Sequence, residues 1–218
     1  KACGVWKEKD QKGDVKKMNE KPAMIKDALI LFAITVVAGL LLGVVYDVTK
    51  EPIAKQKEKA KQEACADVFA AAAAFETVTD AQGMPMSDSV NGVDIDEVMY
   101  AMDGDGNHAG YVITVTDHEG YGGDIQFSMG VTLDGTLNGI SILSITETAG
   151  LGMKAGDVLV PQFTDKKVEQ FSYTKQGAAT ESEIDAISGA TITTNAIVNG
   201  VNAGLVYFRD VLLAADSF

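Results

Sequence analysis

Nineteen consecutive residues without a charge, Ala28 to Tyr46 (ALILFAITVVAGLLLGVVY), constrain this chain more than any other feature. At about 1.5 Å per residue a helix of that length spans about 28 Å, close to the hydrocarbon thickness of a bilayer, so the sequence predicts a transmembrane helix over 28–46. A cleaved signal peptide is the rival, but its apolar core runs only about 7–15 residues and ends in a small-x-small site. This stretch runs instead into Tyr46-Asp47-Val48-Thr49-Lys50 and reads as an uncleaved anchor. Lys16, Lys17, Lys21 and Lys26 precede it, and only Lys50 and Lys55 fall in the ten positions after it. The positive-inside rule then places the N-terminal segment, 1–27, in the cytoplasm and the domain beyond the anchor outside it, which is expected of a single-pass protein of the cell's inner (plasma) membrane. The first residue is Lys1, and Met18 or Met24 are candidate true starts.

Charge divides the chain in the same places. Residues 1–27 hold eight Lys against five acids, 47–67 balance five against five, and 68–218 hold five bases against 21 acids. A portion that acidic repels phosphate backbones, which excludes nucleic acid as a partner. The two cysteines, Cys3 and Cys65, fall on opposite sides of the apolar stretch and are not expected to pair; neither has metal-ligand spacing.

Lys50 to Ala74 is rich in Ala, Lys, Gln and Glu, strong helix formers, with Pro52 near the start where a missing N–H costs little. A membrane-proximal helix is expected within 47–75, with Ala70–Ala74 as its packed end. A folded domain follows over 76–218. After Gly83 the pattern alternates, giving strands at Glu97–Met102, Ala109–Thr116, Asp124–Thr132 and Leu137–Ile145, an antiparallel meander. Asp103-Gly104-Asp105-Gly106-Asn107 and Asp134-Gly135 supply its turns. The first turn has the alternate Asp, Asp and Asn of a calcium loop. It lacks the Gly after Asn107, where His108 stands, and the Glu at the twelfth position, where Thr114 stands, so a hairpin turn is the reading. Ile197, Val201, Leu205, Phe208 and Leu212 form one face of a final helix over Thr193–Ala215, capped by Thr193, Thr194 or Asn195. The fold class is α+β. His108 and His118 sit in or beside turns, where at least one is expected at the surface.

Just before that helix stands Asp185-Ala186-Ile187-Ser188-Gly189-Ala190-Thr191. Free N–H groups and the positive dipole end of a helix attract an anion, and Gly189 and Ala190 let the backbone approach it, so the segment suits a phosphate. The same residues also make an ordinary loop and cap, and chemistry alone leaves both open.

Asp-x-x-Ser-Gly-Ala-Thr-x-Thr resembles the flavinylation motif of the FMN-binding domain family, which includes the G subunit of Rnf complexes and the C subunit of sodium-translocating NADH:quinone reductases. Glu147-Thr148-Ala149-Gly150-Leu151-Gly152 is similar to the family's Glu-Thr-Pro-Gly-Leu-Gly segment, with Ala149 in place of Pro, and Gly120-Tyr121-Gly122-Gly123-Asp124 resembles a Gly-Tyr-Gly-Gly stretch that opens the next strand. The likeness in order of elements runs from about residue 24 to 215, and the length and single apolar helix look more like the Rnf protein.

The resemblance implies FMN held covalently through a phosphoester at Thr191. Thr191 would be an attachment point and not a catalyst. Its hydroxyl is a weak nucleophile with no His near it in sequence, so attachment is expected to need a separate enzyme, and the resemblance implies a flavin transferase that uses FAD as donor and itself needs a divalent ion. Asp185, Ser188, Gly189 and Ala190 would shape or recognise the attachment loop, or simply cap the helix. Glu147, Thr148, Gly150, Leu151 and Gly152 would line the isoalloxazine ring, where by their own pattern they are a Gly-rich turn.

The function so implied is an electron relay in a membrane complex that moves electrons between ferredoxin and NAD and couples them to Na⁺ or H⁺ translocation. Its partners are the complex's other membrane and peripheral subunits and the surrounding lipid, with the small-xxx-small face of Gly39 and Gly43 as a packing seam. Two alternatives remain: the corresponding quinone-reductase component, and a membrane-anchored scaffold without a cofactor. Hydrolase, ATPase and Rossmann patterns are absent from the sequence.

Overall fold

The computed structural model describes residues 21–79 and 86–215. Cys3, Lys16, Lys17, Met18 and the polar segment 1–17 lie outside the described residues. The chain divides into two compact units, 1–54 and 55–218.

The first unit contains most of a long helix, α1, which runs Lys21–Val68. Its apolar stretch is long enough to cross a membrane and none of it is buried within the protein. That exposure separates it from a core helix, since large apolar side chains left bare to this extent need lipid or protein to cover them. A separate membrane-proximal helix beginning near Pro52 is not observed. Pro52 lies inside α1, where it leaves the Val48 carbonyl without its usual N–H donor.

The second unit is built on a six-stranded sheet among the described residues. Its strands are β1 (Ala74–Thr77), β2 (Asp88–Val90), β3 (Val93–Met102), β4 (His108–Asp117), β5 (Ile125–Thr132) and β6 (Leu137–Ile145). The order is β1-β3-β4-β5-β6, with β2 also on β3, and every pairing is antiparallel. The four strands of the expected meander are present, with β3 starting at Val93, ahead of Glu97, and β5 at Ile125. Asp103 closes the first hairpin, its Oδ1 accepting the N–H groups of Asp105 at 2.9 Å and Asn107 at 2.8 Å.

Helix α1 stops at Val68, short of Ala74, and the alanines expected as its end form a turn and the first residue of β1. Helix propensity favours Ala there, but tertiary pairing wins: Ala74–Thr77 must run extended to meet Met99–Met102. The reversal is packed closely, with Val68 against Gly130 and the Phe69 ring against Gly110, two positions where a side chain would collide. Cys65, Val68 and Phe69 thereby cover Met99, Ala101 and Val112 on one face of the sheet.

After β6 come a 3₁₀ turn (Gly152–Lys154), a short helix α2 (Ala155–Val158), and a pair of short strands not foreseen in the sequence, β7 (Ser172–Thr174) and β8 (Glu183–Asp185), which run parallel. Helix α3 spans Thr191–Tyr207 and continues through a π-helical segment, Phe208–Leu212, into α4 (Leu213–Ala215). The start differs from expectation. Its N-cap is Ala190 and no side chain caps it, while Thr193 and Thr194 lie inside the helix and are buried. The apolar stripe is as expected: Ile197, Val201, Leu205, Phe208 and Leu212 are all buried, at about 1.5–3 kcal/mol per side chain. Gly200 and Gly204 bring α3 onto Phe127 and Met129 of β5, completing the second covered face. Covering on both faces explains why β4 is buried almost continuously, without alternation.

Candidate functional site

A cavity of about 450 Å³ opens where the loop after β6 meets the start of α3. Glu147, Thr148, Leu151 and Gly152 line it from one side, and Gly189, Ala190, Thr191, Ile192 and Thr193 from the other, with Tyr121 completing the wall. Two segments about forty residues apart are thus brought together by the fold. A Cβ on Gly152 would fall 2.7 Å from Thr193 Oγ1, and one on Gly189 would fall 3.2 Å from Leu151 Cδ2, so both approaches depend on glycine. Gly189 also holds φ +80° and Gly150 φ +79°, left-handed values that let the two loops reverse.

Thr191 is the first residue of α3. Among the described residues no hydrogen bond ties its hydroxyl, and it is partly exposed at the cavity. The first helical bond runs from Thr194 N–H to the Ala190 carbonyl at 3.0 Å, so the N–H groups before it lack intrahelical acceptors. Thr194 fixes this corner from beneath: its hydroxyl donates to the Ala190 carbonyl at 2.9 Å and accepts from Ile187 N–H at 3.2 Å.

Glu147 stands opposite. Its Oε1 is buried without a hydrogen-bond partner, the one such side-chain atom among the described residues. A carboxylate oxygen held away from water with nothing to accept costs stability, and such an atom marks a place where a ligand donor fits. Gly120 and Gly152 flank the Glu147 side chain; a Cβ on either would fall 3.1 Å from Oε1 or 2.9 Å from Oε2, respectively.

Three residues of the expected site lie outside the lining. Asp185, at the end of β8, accepts Ala178 N–H through Oδ1 at 2.6 Å, while its own N–H donates to Gln162 Oε1 at 2.7 Å. It shapes the chain leading to Ser188 rather than capping α3. Ser188 is exposed beside the cavity and Gly150 turns the loop behind Leu151. Conversely, Tyr121, Ile192 and Thr193 line the cavity without being expected there; the sequence offers Thr193 as a candidate helix cap. Tyr121 had a signal in the Gly-Tyr-Gly-Gly stretch, and as a tyrosine 70% exposed it stands out in the structure.

Of the two histidines, His118 is exposed and paired with Asp94 and Asp124, while His108 is partly buried and packs edge-on against the Tyr100 and Tyr111 rings.

The sequence matches the FMN-binding domain family over residues 120–206, which takes in every residue of the cavity, and the RnfG N-terminal region over residues 18–68. It is 31% identical to the G subunit of the Na(+)-translocating ferredoxin:NAD(+) oxidoreductase complex of Acetobacterium woodii, covering 86% of this chain and 93% of that one. It is 34% identical to the G subunit of the proton-translocating ferredoxin:NAD(+) oxidoreductase complex of Clostridium ljungdahlii, covering 81% and 90%. The G subunit of the ion-translocating oxidoreductase complex of Methanosarcina acetivorans is 31% identical over 87% of this chain and 97% of its own. In fold the chain is similar to NqrC of Shewanella oneidensis, with a TM-score of 0.52 at 16% identity over 70% of this chain and 88% of that one. Identity above 30% along nearly the whole length of these relatives, together with the domain match over the cavity, shows that the chain belongs to the RnfG family, the G subunits of ion-translocating oxidoreductase complexes.

Proposed function

We propose that this chain is an electron-transfer subunit of an Rnf-type ferredoxin:NAD oxidoreductase complex that couples electron flow to Na⁺ or H⁺ translocation, and that it carries FMN as a phosphoester on Thr191. The observation that carries the reading is the convergence of 147–152 and 189–193 on one cavity, with an unpartnered carboxylate oxygen on one wall and an uncapped helix start on the other. Its volume falls within the about 300–1,000 Å³ of cofactor sites. FMN supplies reversible electron storage in its ring, and the protein supplies placement and electrostatics.

The chain's own residues divide that work. The N–H groups at the start of α3 and the Cβ-free edge of Gly189 receive the phosphate. Glu147 Oε1, buried and unpaired, would accept a hydrogen bond from the cofactor. Leu151 and Tyr121 provide apolar walls, and Thr148 a hydroxyl. Asp185 keeps the 178–188 segment in shape from behind.

Attachment would form a bond from Thr191 Oγ1 to the FMN phosphorus and break the pyrophosphate bond of FAD, with AMP leaving and the hydroxyl proton lost to solvent. A separate flavin transferase would perform that step. The extracytoplasmic placement of the domain follows the lysine bias around 28–46. Gly39 and Gly43, with open space where a side chain would stand, offer the close-packing seam for multi-span partner proteins of the complex.

The test is the denatured protein after co-expression with a flavin transferase, beside its Thr191→Ala variant. A fluorescent band with an added mass of about 438 Da, FMN less one water, that vanishes in the variant supports the relay. A colourless, unmodified chain with a transferase active on a control overturns it and leaves an anchored scaffold as the better account.

A further inference from the structure

The cavity wall formed by Tyr121 belongs to a loop, 119–123, that is tied at both ends. On the inner side the buried Asp117 accepts Glu119 N–H at 2.7 Å. On the outer side His118 Nδ1 meets Asp124 Oδ1 at 2.9 Å, across the mouth of the loop, and His118 Nε2 meets Asp94 Oδ2 of β3 at 3.0 Å. One imidazole therefore joins the residue just before the loop to the residue just after it, and both to the neighbouring strand. Between these ties the loop lies directly on the Glu147 segment: a Cβ on Gly120 would fall 3.1 Å from Glu147 Oε1, and one on Gly122 would collide with the Thr146 carbonyl.

We propose that His118 is a positioning residue for the cofactor site, clasping the base of the 119–123 loop between Asp94 and Asp124 and so holding Tyr121 as a wall of the cavity. The cofactor part of this inference rests on the flavin reading above. Only a doubly protonated ring donates from both nitrogens at once, so the clasp is complete when His118 is charged. The two carboxylates raise the His118 pKa from its ordinary value to about 9, chiefly through the hydrogen bonds to Asp124 and Asp94. Asp117 and Glu119 flank it in sequence, and Asp96 stands two residues beyond Asp94 on β3, its Oδ2 engaged by Thr116 at 2.6 Å and Gln126 at 2.8 Å. The sign follows: with the folded value above the unfolded one, the tie is fully present below about pH 6.5 and is lost as pH rises through about 9.

The first test uses the full chain in detergent with Thr191→Ala, which carries no flavin whether or not the cofactor reading holds. Hydrogen exchange over 119–124, corrected for intrinsic rates, should show protection reduced about two- to fivefold by His118→Ala at pH 7. The His118 chain should lose the same protection between pH 8 and 10. His118→Gln, which donates without titrating, should restore part of it and show no step. Equal protection in all three chains at every pH overturns the clasp.

The second test uses the flavinylated chain at pH 7, where iodide should quench flavin fluorescence more strongly in His118→Ala. An unchanged quenching constant, with the clasp present in the flavin-free chain, overturns the positioning role. A chain that shows the clasp but accepts no flavin overturns the cofactor reading and with it that role, whereas a flavinylated chain without the clasp overturns this inference alone.

Discussion

Gly152 lies flush against Thr193, with room for no more than a hydrogen: a Cβ on the glycine would stand 2.7 Å from the threonine Oγ1. This contact joins the loop after β6 to the first turn of α3, and so fixes the width of the cavity between Glu147 and Thr191.

Gly152→Ala is therefore expected to destabilise the domain by about 1–3 kcal/mol, because the added methyl also meets Glu147 Cβ at 2.8 Å and neither neighbour is the loose end of a long side chain. Gly150→Ala has open space around it and meets only the cost of its left-handed backbone, about 1–2 kcal/mol. Thermal denaturation measures both. Flavin incorporation by intact mass should fall with Gly152→Ala and hold with Gly150→Ala.

Glu147→Gln exchanges a buried, unpartnered carboxylate oxygen for a neutral amide of the same shape. In a flavin-free Thr191→Ala background the substitution should leave stability unchanged or raise it by up to about 1 kcal/mol, since a neutral group is cheaper to desolvate. In the flavinylated chain the same substitution should shift the flavin's absorption and reduction potential. Chemical denaturation and a redox titration read the two effects, and a Glu147 variant that alters neither spectrum nor potential would remove it from the ring's surroundings.

Asp134 anchors the turn between β5 and β6. The Thr132 hydroxyl, then Lys167 Nζ at 2.9 Å and the Thr136 hydroxyl at 3.1 Å, hold its carboxyl well below the usual carboxylate range. With the folded value below the unfolded one, its contribution is present above about pH 4 and is lost as pH falls further. Asp134→Asn should accordingly lower the melting temperature at pH 7, with the gap to the parent chain starting to narrow below about pH 4 and closing only once the pH has fallen well below the usual carboxylate range. A gap that stays constant across that range would show that the carboxylate's charge plays no part.

How much of this is legible in the sequence differs by element. The apolar stretch 28–46, the β3–β6 hairpins and the α3 stripe declare themselves through local periodicity and Asp-Gly turns, signals that need no distant partner. The end of α1 does not, because Ala70–Ala74 favours helix locally, and its pairing with Met99–Met102 enters only through long-range contact. Strands β7 and β8 are three residues each and parallel, too short to carry a periodic signal. The start of α3 falls at Thr191 because Thr193 and Thr194 turn inward, where Thr194 serves the Ile187–Ala190 corner instead of capping a helix.

The chain's order of residues alone determined that an uncharged span precedes an acidic α+β domain, and that an anion-suited segment opens its last helix. Tertiary structure decided that Glu147 faces that helix start, that Tyr121 closes the cavity, and that His118 spans two carboxylates. Each of those relations joins residues more than five positions apart, and the first two rest on close approaches at Gly120, Gly122, Gly152 and Gly189. A glycine in sequence records only freedom, and the fold determines what comes close to it.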